Sequence, residues 1–326
     1  MRTLRTAVTG VGGYLPETIM TNAEFTAMVD TTDEWIVERT GIRQRHRVAD
    51  GQVTSDLATE AAKIALTAAD KTAADVDMII VATTTPDMPF PSTASIVQRK
   101  LGVPPGAAFD MQAVCSGFVY ALSVADGFVS RGMSKCALVI GAEAMTRLLD
   151  FSDRGTCILF GDGAGAVVLE PVEGEGTPAD RGVLGFDLRC DGTKVDLLYV
   201  SGGTFDPDNR IGKIHMQGNQ VFKQAVQKIS QAIEAAVEKS GVSITDIDWF
   251  VPHQANQRIL NGVAHQLGLD ESRVISTVAM HANTSAASIP LAWYEGTKDG
   301  RIKPGDLVLI EALGGGLTWG AVTVRM

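Results

Sequence analysis

Apolar and polar positions along the chain repeat with two periods, and the places where the period changes mark the elements. Leu4 to Val8 is an apolar run of strand length, and a helix carrying Phe25 and Met28 is expected from Thr21. Thr32-Asp33-Glu34-Trp35-Ile36-Val37 has the hydroxyl-then-acid order of a capped helix start. Between Thr54 and Ala69, Leu57, Ala61, Ile64, Ala65 and Ala68 share one helical face, and Asp77 to Ala82 then reads as a buried strand. The same order returns later. Phe222, Val226, Ile229, Ile233 and Val237 share a helical face, and the chain passes through Asp246-Ile247-Asp248 into the strand Trp249-Phe250-Val251. Aligning Asp75-Val76-Asp77 with Asp246-Ile247-Asp248 sets an offset of 171 residues, about half the chain.

The likeness continues downstream. Ala137-Leu138-Val139-Ile140-Gly141 matches Leu307-Val308-Leu309-Ile310-Glu311, and each half ends in a glycine-rich hairpin, Gly161 to Gly165 in one and Gly314 to Gly316 in the other. Strands rather than helices follow both glycine runs, which argues against phosphate-binding loops. Gly10-Val11-Gly12-Gly13-Tyr14-Leu15-Pro16 also fails as a dinucleotide fingerprint, in spacing and in its proline. Strands alternating with helices in two similar halves, residues 1–175 and 176–326, predict an α/β fold whose layers share a core. Sites are then expected at the C-terminal ends of strands. Pro171 to Arg181 reads as the loop between the halves, and Ser201 to Met216 as an irregular excursion near the surface or a substrate channel.

Composition narrows the function. With 326 residues, 45% hydrophobic and 20% charged, the chain can bury one large core or two joined ones. Its four cysteines, 115, 136, 157 and 190, lack paired short spacings, so no zinc site or disulfide framework is implied. No stretch suits a signal sequence or a membrane span, which makes a reducing cytoplasm the expected location. A formal net charge of −10 argues against nucleic-acid binding; Arg43, Arg45, His46 and Arg47 form one short basic cluster, suited to a few phosphates or to a solvated loop.

Three residues carry candidate chemistry. Cys115 ends a strand-like run and begins a helix whose Val119, Leu122, Val124 and Ala125 are apolar; the unpaired N–H groups and dipole of such a helix start favour a thiolate. A cysteine among apolar residues is equally a core residue. His253 follows the strand Trp249 to Pro252, and Asn283 lies in the turn His281-Ala282-Asn283-Thr284-Ser285. Each could instead serve a purely structural purpose, but a pseudo-twofold would bring them to Cys115, and thiol, imidazole and amide together suit acyl transfer with two oxyanion donors. Trp35 and Arg39, four apart, share a helical face that could hold an adenine and a phosphate or simply pack.

Longer stretches add a resemblance that runs from Val8 to Arg325. Asp33-Glu34-Trp35-Ile36, Val114-Cys115-Ser116-Gly117-Phe118, Phe160-Gly161-Asp162-Gly163-Ala164-Gly165-Ala166, Pro252-His253-Gln254-Ala255-Asn256, His281-Ala282-Asn283-Thr284-Ser285 and Gly314-Gly315-Gly316 resemble the β-ketoacyl-acyl carrier protein synthase III family. The resemblance implies the thiolase-like fold, a five-layered α-β-α-β-α core, in a homodimer. It implies a decarboxylative Claisen condensation of an acyl-CoA primer, acetyl-CoA foremost, with malonyl-acyl carrier protein, and no cofactor or metal beyond the coenzyme A thioester substrate. Cys115, His253 and Asn283 take the catalytic positions, and the backbone N–H groups of Cys115 and Gly315 the oxyanion hole. Trp35, Arg39, Arg154, Asn219, Phe222, Ala255 and Asn256 match the coenzyme A and pantetheine contacts, Leu313 stands at the acyl pocket beside the active cysteine, and Phe90 matches a residue that reaches into the partner subunit's acyl pocket. Leu313 departs from the phenylalanine common in the family, which leaves primer choice open. Lys223, Lys228 and Arg258 form a candidate landing patch for an acidic carrier protein. Neither nucleic acid nor membrane is an expected partner. A thiolase is disfavoured because no second cysteine lies in the C-terminal half. The thiol, imidazole and amide would also suit a hydroxymethylglutaryl or polyketide-priming synthase or a cysteine hydrolase, and an inert acyl-binding protein is the non-enzymatic rival.

Overall fold

Short, wholly apolar runs become strands buried on both faces, as parallel sheets covered by helices require. In the computed structural model, which describes residues 3–203, 206–208 and 210–326, the strands are β1 (Thr3–Tyr14), β2 (Thr18–Thr21), β3 (Gln44–Arg47), β4 (Met78–Ala82), β5 (Ala107–Met111), β6 (Ala137–Ala144), β7 (Asp162–Gly174), β8 (Gly182–Cys190), β9 (Leu198–Gly202), β10 (Ile211–Met216), β11 (Trp249–Pro252), β12 (Leu307–Gly314) and β13 (Thr318–Arg325). One sheet has the order β1-β7-β6-β4-β5 and the other β11-β12-β13-β8. In each, the central pairs β4–β6 and β11–β12 are parallel, and antiparallel hairpin strands follow.

Side-chain alternation assigns the layers. Met78, Ile80 and Ala82 of β4 face a central core, as do Val308, Ile310 and Ala312 of β12. Between the sheets lie the helices Gly117–Val129 and Ser288–Lys298, whose Phe118, Leu122, Ile289 and Trp293 are buried. The opposite faces are covered by Thr54–Ala68 and Thr93–Leu101 on the first sheet and by Gly218–Ser240 and Gln257–Leu267 on the second. The result is the α-β-α-β-α stack.

The repeat is visible in the smallest elements. Single 3₁₀ turns at Ala73–Asp75 and Val114–Ser116 recur at Ile244–Asp246 and Ser285–Ala287, each 171 residues on. The aligned aspartates act alike: Asp77 accepts the N–H of Lys135 at 2.7 Å and Asp248 that of Leu307 at 2.8 Å, so each ties one parallel strand to the start of its neighbour. The halves then pack crosswise. A Cβ on Gly141 of β6 would lie 2.2 Å from Ala286 O, and one on Gly314 of β12 would lie 2.7 Å from Cys115 N. Only glycine lets each strand touch the other half's turn that closely.

Four sequence expectations change. Pro171 to Gly174 is not loop but the end of β7, paired with β1, so the connection shortens to residues 175–181. Ser201 to Met216 is partly strand: β9, which ends at Gly202, and β10 pair antiparallel, and Ile214 is buried with Met145, Leu148 and Phe160, while Thr204, Phe205 and Asn209 lie outside the described residues. Its strands are mostly polar or exposed, so no periodicity announces them. The helix at Thr21 covers only Asn22–Phe25; Phe25 is buried and Met28 exposed. Arg45 of the basic cluster is neither solvated nor a phosphate ligand, because it is fully buried over the Phe25 ring and donates to Asn22 Oδ1 and Ile158 O.

Candidate active site

Cys115 occupies the 3₁₀ turn between β5 and the central helix Gly117–Val129. The preceding Val114 has φ +50°, a left-handed conformation that a β-branched residue adopts only under constraint. Ser116 Oγ contacts Ala113 O and Thr318 Oγ1, which pins the turn to β13. Cys115 is 3% exposed. Its helix-start position pointed to a thiolate, but burial outweighs that: burial first, then the charge of Glu143, push the Cys115 thiol up to about 12. At rest the group is a thiol, and its proton has to leave as sulfur attacks.

His253 follows β11, and its N–H donates to Glu311 O at 2.8 Å. Burial pushes the imidazole down to about 3, so it is neutral. Its Nδ1 lies 2.6 Å from Ser288 Oγ, at the start of the other central helix. The backbone N–H of Gln254 donates to the same Oγ at 3.3 Å. A Ser288 hydroxyl that donates to Nδ1 keeps the imidazole proton on Nε2, the tautomer in which that nitrogen is a donor. Gln254 is buried and bonds Pro252 O, Ile275 O and the N–H groups of Thr277 and Val278, joining the segment after β11 to the one leading to Asn283.

Asn283 is held by its backbone, which accepts from Gly161 and donates to Leu159 O, both at 3.0 Å. Its Oδ1 accepts the Ser285 N–H at 2.9 Å, which leaves the amide NH₂ as its free donor. Ala282 and Ser285 on either side have φ +58° and +50°. The turns that present both the thiol and the amide therefore contain left-handed non-glycine residues, the strain expected of over-determined sites.

Two cavities meet at Cys115. One, of about 390 Å³, is lined by Cys115, His253, Asn283 and Leu313 inside and by Phe222 and Asn219 farther out. The other, of about 380 Å³, includes Cys115, Met145, Leu148, Phe160, Ile211 and Ile214, but neither His253 nor Asn283. Arg39, Ala255, Asn256 and Arg258 also line the first.

The residues expected to bind substrate or carrier protein divide between the channel mouth, the cavities and the outer surface. Trp35 lies beside the mouth with Arg154 and Arg39 at 4.7 and 5.6 Å from its ring, a cationic aromatic surface suited to a nucleotide. Asn256 has a structural task as well, since its Oδ1 caps the helix Gln257–Leu267 through Arg258 N–H and Ile259 N–H. Leu313 lines the cavity of Cys115, His253 and Asn283, sharing the outer face of β12 with Leu309, and Phe90 is 84% exposed and lines neither cavity of its own chain. The expectation for Lys228 is corrected. It pairs with Asp191 at 3.3 Å and covers the Trp319 ring, so it is not a free docking cation, whereas Lys223 and Arg258 are exposed. A Cβ on Gly315 would meet Leu198 and Val114, whereas one on Gly314 would meet the Cys115 backbone.

Comparison with known proteins decides the family. Models described as 3-oxoacyl-[acyl-carrier-protein] synthase III and its C-terminal region match residues 109–192 and 237–326. A β-ketoacyl-[acyl-carrier-protein] synthase III of Caulobacter vibrioides is 72% identical over 99% of this chain and 100% of its own, and one of Hyphomonas neptunium is 57% identical over 99% of each. The chain belongs to the β-ketoacyl-acyl carrier protein synthase III family. The crystal structure of the 3-oxoacyl-[acyl-carrier-protein] synthase III of Aquifex aeolicus superposes with a TM-score of 0.91, at 42% identity, over 98% of this chain and 100% of that one. The chain is thus a condensing acyltransferase with the thiolase-like fold, joining acyl-CoA to malonyl-acyl carrier protein at the start of fatty-acid synthesis.

Within this synthase III site, Ser288, Gln254, Glu311 and Glu143 escaped the sequence reading. Glu311 is fully buried, lines the cavity of His253, and has an Oε2 without a hydrogen bond; burial pushes its carboxyl up to about 8. A signal for the two glutamates was available, since each interrupts an otherwise apolar strand, Ala137–Ala144 or Leu307–Gly314. Ser288 and Gln254 carry no such signal.

Proposed function

We propose that Cys115 carries the acyl group and that His253 Nε2–H and Asn283 Nδ2–H hold the thioester oxygen of the malonyl group as it loses carbon dioxide. The observation that carries this reading is the division of the cavities at the thiol. The acyl chain of acyl-Cys115 lies in the cavity of Met145, Leu148, Phe160 and Ile214, and the malonyl thioester enters through the other, where both donors are. Decarboxylation places negative charge on the thioester oxygen, and two neutral donors in a buried site stabilise it without first having to be desolvated from water. The carbanion attacks acyl-Cys115, a carbon–carbon bond forms, and the C–S bond to Cys115 breaks. The backbone N–H groups of Cys115 and Gly315 serve as the oxyanion hole during acyl transfer.

Acyl-CoA enters past Trp35, Arg39 and Arg154 and along Asn219, Phe222, Ala255 and Asn256, and Lys223 with Arg258 receives the acidic carrier protein. No cofactor or metal is proposed beyond the coenzyme A thioester substrate. The protein acts in the cytoplasm as a homodimer with Phe90 at its interface, and its two halves divide at residues 175 and 176; no helix among the described residues is long and apolar enough to cross a membrane. Acetyl-CoA is the proposed primer. The test is intact mass with peptide mapping after mixing with acetyl-, isobutyryl- or longer acyl-CoA and then malonyl-carrier protein. An acyl group on Cys115 that disappears as β-ketoacyl-carrier protein forms supports the reading; an adduct elsewhere, or none, overturns it.

A further inference from the structure

Glu311 stands where the fold asks only for an apolar side chain. On β12 it lies between Leu309 and Leu313, on the outer face that the helices Gly218–Ser240 and Gln257–Leu267 cover. Strand pairing shows what the same place holds in the other half: Val81 of β4 pairs with Ile140 of β6, and Pro252 of β11 pairs with Glu311. Residues 140 and 311 are 171 apart, the spacing of the repeat, and both are buried. Ile140 fills its site with hydrocarbon among apolar neighbours, so sheet and helix packing make no demand for a carboxyl there. The Glu311 side chain instead lines the cavity of about 390 Å³ with Cys115, His253 and Asn283, beside Ala225 and Ile229. Its Oε2 is buried and has no hydrogen-bond partner among the described residues. A charged carboxylate in that position would be uncompensated, and burial raises the group to about 8, so near pH 7 it is chiefly a neutral acid with one O–H to donate. The neighbouring polar groups are already engaged: His253 Nδ1 with Ser288, and Asn283 Oδ1 with the Ser285 N–H. An O–H aimed into a substrate cavity without an acceptor in the protein calls for one on the substrate.

We propose that Glu311 recognises the malonyl group, its O–H donating to the free carboxylate while His253 and Asn283 hold the thioester oxygen at the other end. The inference rests on the reading that the malonyl thioester occupies this cavity. An acetyl primer brings no carboxylate, so Glu311 acts in the second half-reaction and not in the first. One neutral donor takes the place of the several waters that surround the carboxylate in solution, so the group is oriented yet less stabilised than in water. Holding both ends fixes the breaking bond relative to the thioester plane. The bond between the methylene and carboxylate carbons breaks, its electron pair passes into the thioester and onto its oxygen, and carbon dioxide leaves. Glu311 keeps its proton throughout. Carbon dioxide is a weak acceptor, so the hydrogen bond made to the carboxylate is not retained by the product. An ionised Glu311 would set two carboxylates against each other in a buried site, which excludes the substrate rather than binding it.

Kinetics of the full-length protein with malonyl-carrier protein varied at saturating acetyl-CoA test this. Glu311→Leu, which imitates the apolar residue of the other half, raises KM for malonyl-carrier protein by roughly 10- to 150-fold, the scale of a lost hydrogen bond to a charged group. Acetylation of Cys115, followed by intact mass, and inhibition by carrier protein bearing no malonyl group both stay unchanged. Glu311→Gln keeps a donor and stays near the unmodified KM at pH 7. Between pH 7 and 9 the KM of the unmodified protein climbs as Glu311 ionises, whereas that of Glu311→Gln does not follow it. The groups facing Glu311 leave this window clear. His253 after β11 is held down to about 3 and Cys115 is pushed up to about 12. β13 places Ala321 opposite, the covering helices bring Arg258 and the Asp191-paired Lys228, and Arg39 lines the cavity from outside them; arginines keep their charge over this range. An unmodified KM in Glu311→Leu, equal loss in acetylation and condensation, or parallel pH profiles for the unmodified protein and Glu311→Gln each overturn the inference. Asn283→Ala separates the underlying reading from it. If that variant decarboxylates malonyl-carrier protein at the unmodified rate, the malonyl group is not held in this cavity and the inference falls with the reading; slowed decarboxylation there beside an unaffected Glu311→Leu overturns the role of Glu311 alone. Should Glu311→Leu not fold, the pH profiles of the unmodified protein and Glu311→Gln still decide.

Discussion

Removing the Ser288 hydroxyl tests the role given to His253 without touching a group that meets substrate. Ser288→Ala leaves Nδ1 of a buried imidazole without its 2.6 Å partner. A buried acceptor deprived of its donor loses about 1–3 kcal/mol. Either neutral tautomer then leaves Nδ1 unpaired, so the ring is no longer held with Nε2–H on the substrate oxygen, and losing about 1–3 kcal/mol of that positioning weakens stabilisation of the oxyanion by roughly 5- to 150-fold. Decarboxylation of malonyl-carrier protein by the variant should slow by about that factor, whereas acyl transfer to Cys115, which does not use Nε2–H, should change little. Carbon dioxide release from pre-acylated enzyme measures the first step, and single-turnover intact mass the second. Equal loss in both steps at unchanged melting temperature would refute the positioning argument, and so would decarboxylation at the unmodified rate.

Other consequences follow from the same geometry. Glu311 has a folded pKa of about 8 against an ordinary 4.5, so the native state keeps a proton that the unfolded state loses; stability should fall as pH rises from about 4.5 to 8 and level off above it. Glu311→Gln should flatten that slope, read as urea midpoints at pH 5, 6.5 and 8, and an unchanged slope would assign it to other groups. His253, pushed down to about 3, works in the opposite sense: its part of the stability is complete above pH 6.5 and is lost as pH falls toward 3. Gly314→Ala brings a Cβ to 2.7 Å from Cys115 N and should cost about 1–3 kcal/mol while lowering acylation, measured by thermal unfolding and by adduct formation; an unperturbed variant would mean that the strand and turn separate easily. Lys223→Glu should raise KM for malonyl-carrier protein but not for acetyl-CoA, more so at low salt, since it is exposed beside the mouth and outside the lining; equal effects on both substrates would remove it from the docking surface.

Much of this protein is set by its sequence alone. The apolar runs, the one-face helices and the 171-residue repeat determine two like α/β halves, because burial of a strand on both faces or a helix on one leaves a periodic trace. Cys115, His253 and Asn283 could be named because each follows such a trace in a place where repeats converge. The tertiary structure alone decided the rest. The charge state of the thiol follows from how much protein surrounds it, which no local pattern records, and there burial overruled the helix start. The β9–β10 hairpin depends on Ile214 meeting side chains more than fifty residues away, and Lys228 lost its docking role to Asp191 and Trp319. Ser288 became significant only when the crossed packing of the halves placed its hydroxyl on His253. Periodicity reports which face of an element is buried; what that face meets is settled by contacts between segments far apart in the chain.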